Sequence, residues 1–286
     1  MFKNNSSPIL QSIVYIFITY IFTWSFWIPI LLQPKLQDTS NILSFGLLIA
    51  LVGSFGPSFG AILTYVYFNG WDASKVWLRK CFNFKFGWKP FFMITLIPNL
   101  IGFILFASFN QLAMEYYKVF GLLVPAMMII GPLGIIIGAG PMGEELGWRG
   151  FLTPTLLKKF NVYQTALIVG IIWSFWHLPL LLISEYRLDL EFFSYLSIYT
   201  LGTIFMSFTL IKLSQITKNS TVSAMLFHSV TNLFFTITIG ADLFKIDKLN
   251  PSFFNISLIL LFNTLLTACI FKVIVDSKLF KIKSHS

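Results

Sequence analysis

From Asn4 to Pro34, and again from Thr39 to Trp71, the chain carries no charged side chain. A helix needs about 20 apolar residues to cross a bilayer, and both runs exceed that with Ile, Leu, Phe and Val. Reading uncharged runs between charged clusters predicts eight spanning helices, at residues 9–32, 42–68, 90–113, 120–146, 162–184, 192–211, 219–241 and 251–275. Composition points the same way. Of 286 residues 56% are apolar and 11% charged, whereas soluble domains carry roughly a quarter charged residues. A chain this poor in polar surface is excluded as a soluble enzyme or a secreted disulfide scaffold. The expected fold is all-α: a polytopic membrane protein whose helices form one bundle around an intramembrane cavity, with residues 1–286 as a single integral membrane domain.

The first run follows Lys3 and a polar Asn-Asn-Ser-Ser stretch, as in a signal peptide, but it is longer than the ~7–15 residues of a signal h-region and no small-x-small cleavage site follows. It reads as a retained helix. Cys81 and Cys269 are far apart and form neither a disulfide framework nor a zinc spacing. The net charge of +9 would suggest nucleic acid in a soluble protein; here the charges sit in short loops, so membrane topology accounts for them and no nucleic-acid partner is expected. With eight spans, fifteen Lys and Arg fall on the side of both termini and five on the other, which places both termini in the cytoplasm. Residues 71–89 interleave Trp and Phe with five basic residues. That pattern suits a segment lying on anionic lipid, with substrate docking as the alternative.

Ionisable groups inside spans are expensive and mark functional sites. His177 and His228 lie inside predicted spans, and Glu144 and Glu145 at the end of the fourth, with Arg149 just beyond in the following loop; His285, in the tail, has no assigned role. Residues 145 and 149 are i, i+4 on a helix, so Arg149 can neutralise Glu145. Glu144 is turned about 100° away and is the freer carboxylate, the better candidate base. Trp173 lies one turn before His177 and can pack on its ring. His228 and Asn232 share a face and can present two donors to one oxygen. Taken singly, each feature has an ordinary reading: an acid pair solvated at an interface, a histidine bridging two helices, a packing tryptophan. Depth poses a difficulty, because Glu144 sits at the end of one span while His177 is ~22 Å along the next. An irregular fourth span, rich in glycine and proline at Gly131, Pro132, Gly134, Gly138, Gly140 and Pro141, or a displaced fifth helix, is needed for them to meet.

The stretches GEELGWRGFL (143–152), WSFWHLP (173–179) and HSVTN (228–232) resemble, in order, the three motifs of the CAAX-protease and bacteriocin-processing family, also called the Abi family: Glu-Glu-x-x-x-Arg, Phe-x-x-x-His and His-x-x-x-Asn. Trp173 stands where the second motif usually has Phe. The resemblance implies an eight-helix intramembrane endopeptidase, of the type II CAAX prenyl endopeptidase kind, opening toward the cytoplasm, with residues 120–241 as its catalytic core. It implies that Glu144 and His177 activate a water, that His228 and Asn232 hold the oxyanion, and that Glu145 and Arg149 support them. A peptide or lipidated protein would be the substrate, in a multi-pass protein of the cell membrane.

No cofactor is needed for that chemistry. The rival is zinc held by Glu144, His177 and His228, although His-Glu-x-x-His is absent and three helices would have to supply the ligands. Outside enzymes, the same polar groups could form the core of a membrane scaffold or bacteriocin self-immunity protein. A transporter is disfavoured because the hydropathy pattern shows no internal repeat.

Overall fold

The computed structural model describes residues 6–37, 45–109, 139–183, 190–239 and 253–276, and among these no strand occurs. The helices are α1 (Pro8–Leu32), α2 (Phe45–Gly53), α3 (Gly56–Asn69), α4 (Trp71–Cys81), α5 (Trp88–Phe109), α6 (Ala139–Gly147), α7 (Thr153–Leu156), α8 (Val162–Trp176), α9 (Leu178–Ile183), α10 (Leu190–Ile216), α11 (Thr221–Ile239) and α12 (Phe253–Asp276). By length and composition, three described stretches can cross a membrane: Pro8–Leu32, Phe45–Asn69 and Phe192–Ile216. Most of the expected fourth span, with Gly131, Pro132, Gly134 and Gly138, and the tail with His285 lie outside the described residues.

α1 starts where Ser7 accepts a hydrogen bond from the Leu10 amide (3.1 Å) and Pro8 takes a first-turn position whose N–H is not needed. Its buried face, Tyr15, Thr19, Thr23 and Trp27, repeats every four residues. Thr19 and Thr23 lie against Gly60 and Gly56 of α3, where a Cβ would collide with them. This is the small-residue packing that lets membrane helices approach closely. The same face ties α1 to its neighbours: Thr23 donates to the Gly53 carbonyl (2.9 Å), Trp27 to Ala50 (2.9 Å), and Tyr20 to Ile172 of α8 (2.6 Å).

Two expected spans are interrupted within their bounds, and one boundary is corrected. The second span is broken at Ser54–Phe55, ahead of Pro57, whose nitrogen cannot donate to the preceding turn. The Gly53 carbonyl near that break is taken up by Thr23. The fifth span is broken at His177, before Pro179. Third, the helix carrying Glu144 does not end at 146: α6 runs through a π-helical turn at Trp148–Leu152 into α7. Arg149, expected in a loop, is therefore inside the bundle with its side chain 5% exposed.

These corrections remove the depth difficulty. Glu144 stands twelve residues, about 18 Å, before the end of α7, and Trp173 stands eleven residues, about 16 Å, after the start of α8. The two helices are joined by a short turn, so the acid and the Trp173–His177 segment lie level.

The segment after α3 forms α4, with Trp71, Val76 and Phe82 exposed and Trp77 buried, stacked on Tyr65 (ring centres 4.6 Å apart) and donating to the Gly150 carbonyl (3.0 Å). Exposed aromatics thus stand beside Lys75, Arg79 and Lys80 on a helix too short to span a bilayer.

Candidate active site

Each side chain of the site is placed by a local device. In α6, Gly143 and Gly147 face the α2–α3 break, where a Cβ would strike the carbonyls of Ser54 and Pro57; Ser58 donates to the Met142 carbonyl (2.9 Å). This close approach fixes α6 and with it both acids. In α8, Asn161 and Gln164 form a capping box at the start. Gly170 admits the backbone of Ile204 in α10, and Thr203 donates to the Gly170 carbonyl (2.9 Å). At the break the His177 amide bonds to Ser174 (3.1 Å), three residues back, leaving the Trp173 carbonyl to the His177 ring (Nδ1 at 3.0 Å). A carbonyl only accepts, so Nδ1 carries the proton and Nε2 presents a lone pair.

The two acids point different ways. Glu145 is fully buried between Arg149 (Oε2 to Nε 3.2 Å) and His228 (Oε1 to Nδ1 2.8 Å). Glu144 receives a hydrogen bond from the Trp173 indole on Oε2, and its Oε1 stands 4.0 Å from His177 Nε2. The i, i+4 pairing of Glu145 with Arg149 and the separate direction of Glu144 are thus as the helix geometry predicted.

Trp173 joins the two groups. Beyond its bond to Glu144, it carries the Arg149 guanidinium 4.2 Å above its ring centre, and the His228 ring meets it edge-on at 5.4 Å. The expected packing on His177 is present, with ring centres 6.1 Å apart.

Glu144, Trp173, His177, His228 and Asn232 line one cavity of about 200 Å³. Glu144 Oε1 and the Asn232 amide nitrogen converge over Gly140, where a Cβ would come within 3.3 and 3.5 Å of them. The opposite wall is mostly apolar, with Ile198, Met206 and Leu261, together with Tyr195 and Tyr199 of α10; the Tyr199 ring meets His177 edge-on at 5.6 Å. Sequence reasoning missed both tyrosines and Ser207, which approaches Arg149 at 3.5 Å. Their only signal was the i, i+4 spacing of Tyr195 and Tyr199 in a span searched for ionisable groups.

The cavity extends from the middle of the bundle toward the end where α9 precedes α10, while Lys158, Lys159, Lys212 and Lys218 mark the other end.

Glu144 Oε1 and His177 Nε2 stand 4.0 Å apart, wider than the ~3.3 Å between ligand atoms around one tetrahedral zinc, and the Glu145 bond to His228 Nδ1 leaves Nε2 as the open atom of that ring. Among the described residues no three His, Cys, Asp or Glu side chains come together as a ligand set.

Residues 125–234, which include all three motifs, match the family model described as Type II CAAX prenyl endopeptidase Rce1-like. The chain is also similar to CAAX prenyl protease 2 of Methanococcus maripaludis, at 23% identity over 239 residues covering 77% of this chain and 82% of that protein. The resemblance read from the motifs is therefore shared by a family model and a curated relative. With its apolar helices, the chain is an integral membrane protein.

Proposed function

We propose that this protein is an intramembrane endopeptidase that hydrolyses a peptide bond of a membrane-associated or lipidated protein by a metal-free, glutamate-activated water. One observation carries the reading: Glu144 Oε1 and the lone pair of His177 Nε2 face each other across 4.0 Å at a cavity shared with His228 and Asn232. Two acceptors at that separation suit one water donating a proton to each.

Glu144 would take one proton as the water oxygen bonds to the scissile carbonyl carbon. The carbonyl oxygen gains the negative charge and sits between the Asn232 amide and His228. Because His228 Nδ1 is engaged by Glu145, Nε2 is the atom left for the substrate, donating when it carries a proton. When the C–N bond breaks, Glu144 returns the proton to the leaving amine. The apolar wall offers room for an apolar group on the substrate, in keeping with the CAAX prenyl protease named among its relatives. Residues 120–241 would form the catalytic core, in a multi-pass protein of the cell membrane with both termini cytoplasmic.

The test uses purified protein in detergent with fluorogenic peptides, prenylated and unprenylated, beside Glu144→Gln and with a chelator. Cleavage that falls by ~10³ or more in the variant and survives the chelator is expected. Cleavage abolished by the chelator and restored by zinc would replace the water mechanism by a metal one. Full activity in Glu144→Gln would remove this glutamate from the chemistry.

A further inference from the structure

At Gly56, Gly60, Gly143, Gly147 and Gly170 a Cβ would collide with a neighbouring helix, so these positions are small because helices approach closely there. Gly202, in the middle of α10, has no such neighbour. A Cβ at this position would meet only the Thr264 hydroxyl oxygen of α12, at 4.0 Å. Glycine inside a helix lowers its stability relative to alanine, and close packing does not account for that loss here.

What Gly202 borders is the catalytic cavity. Tyr195, Ile198, Tyr199, Gly202 and Met206 fall at helical spacing on one face of α10 and line it together. Gly202 is thus a notch between the Tyr199 ring and Met206, with Thr264 of α12 facing it and Leu261 one turn before. Tyr199 meets His177 edge-on at 5.6 Å, and the notch lies three residues, about 4.5 Å, further along the helix. The threonines of this cavity have already spent their hydroxyl protons. Thr203 donates to the Gly170 carbonyl (2.9 Å), Thr231 to Phe227 (2.8 Å) and Thr264 to Leu261 (2.9 Å). A wall whose donors are engaged suits an apolar group.

We infer that Gly202 sets the size of the apolar group that the cavity accepts: a bulky alkyl or aromatic side chain of the substrate, beside the scissile bond, lies in the notch that the missing side chain leaves. The inference rests on the proteolytic reading and adds to it the residue that selects among substrates. A Cβ at 4.0 Å from its neighbour is in ordinary contact, so Gly202→Ala fits the fold, whereas Gly202→Leu fills the notch.

The test compares two fluorogenic peptides that differ at one residue beside the scissile bond, alanine or S-octylcysteine, with purified full-length protein in detergent. Wild type, Gly202→Ala, Gly202→Leu and Leu201→Ala are measured; Leu201 is exposed on the same turn and does not line the cavity. The ratio of kcat/KM for the octyl over the alanyl peptide is expected to fall roughly tenfold in Gly202→Ala and roughly a hundredfold in Gly202→Leu. It stays unchanged in Leu201→Ala, and the melting temperature of Gly202→Ala is at or above that of wild type. An unchanged ratio in the Gly202 variants of a protein that cleaves would overturn the inference and leave the proteolytic reading standing. Equal losses on both peptides would make Gly202 a packing residue and overturn it too. Should wild type cleave neither peptide, the loss falls on the proteolytic reading, and fluorescence anisotropy of the labelled peptides decides the role of the notch. Weaker binding of the octyl peptide alone to Gly202→Leu supports that role, and equal binding to wild type and Gly202→Leu removes it.

Discussion

Glu144 and Glu145 are consecutive and both buried, at 4% and 0% exposure, yet they belong to different regions of the molecule. Glu145 has its charge matched within the fold, by Arg149 on one oxygen and His228 on the other. Glu144 has one oxygen held by Trp173 and the other turned to a cavity and to His177. The contrast separates two tasks that buried carboxylates perform: one neutralises a charge the fold has taken from water, the other is kept accessible for a reactant. A 100° step along one helix is enough to assign them.

The largest effect expected on this contrast follows Glu145→Gln. The substitution leaves the Arg149 guanidinium buried and uncompensated, a loss of about 3–5 kcal/mol for a broken buried pair, and weakens the grip on His228 Nδ1. A large fall in melting temperature together with lost proteolysis is expected, both measured in detergent. Glu144→Gln, by contrast, removes no close ion pair and keeps an acceptor for the Trp173 N–H, so its melting temperature should stay near wild type while activity disappears. Equal destabilisation by the two variants would erase the division of tasks.

The division was legible before any coordinates because it depends only on helical periodicity: 145 and 149 share a face and 144 does not. The uncharged runs likewise placed α1, α10, α11 and α12 to within a few residues. Less legible was the interior of the fourth and fifth spans. Arg149 reads as a loop cation when charge alone is weighed, and only its tertiary contacts with Trp173 and Ser207, beyond the local pair with Glu145, explain its burial. No local pattern announces the π turn at Trp148–Leu152. The break at His177 had a signal in Pro179, whose missing N–H interrupts the ladder, but a continuous apolar run outweighed it. Tyr195 and Tyr199 do not stand out in an apolar span as ionisable side chains do, because neutral rings that shape a cavity look like ordinary packing residues in the sequence.

A smaller effect is expected at Trp173, the residue that bridges the two regions. Trp173→Phe, the residue usual at this motif position in the family it resembles, retains an aromatic face for Arg149 and removes the N–H that fixes Glu144. The loss of one hydrogen bond to a charged group, about 1.5–3 kcal/mol, predicts a kcat lower by roughly ten- to a hundredfold with KM little changed. A rise in KM at constant kcat would instead make Trp173 part of the substrate surface, and an unchanged kcat would show that Glu144 needs no clamp.

The smallest effect belongs to Tyr199, on the cavity side of the comparison. Its ring supports His177 edge-on at 5.6 Å, a contact that Tyr199→Phe preserves while removing only the hydroxyl. If the ring acts by packing, kcat changes by less than about threefold, within the range of substitutions that break none of the named interactions. Removing the ring with Tyr199→Ala then lowers kcat further, because His177 loses the edge that holds its Nε2 toward Glu144. Were Tyr199→Phe instead as damaging as Tyr199→Ala, the phenol O–H would have to act on the reacting atoms. The accessible side of the acid pair would then contain a second donor in addition to His228 and Asn232.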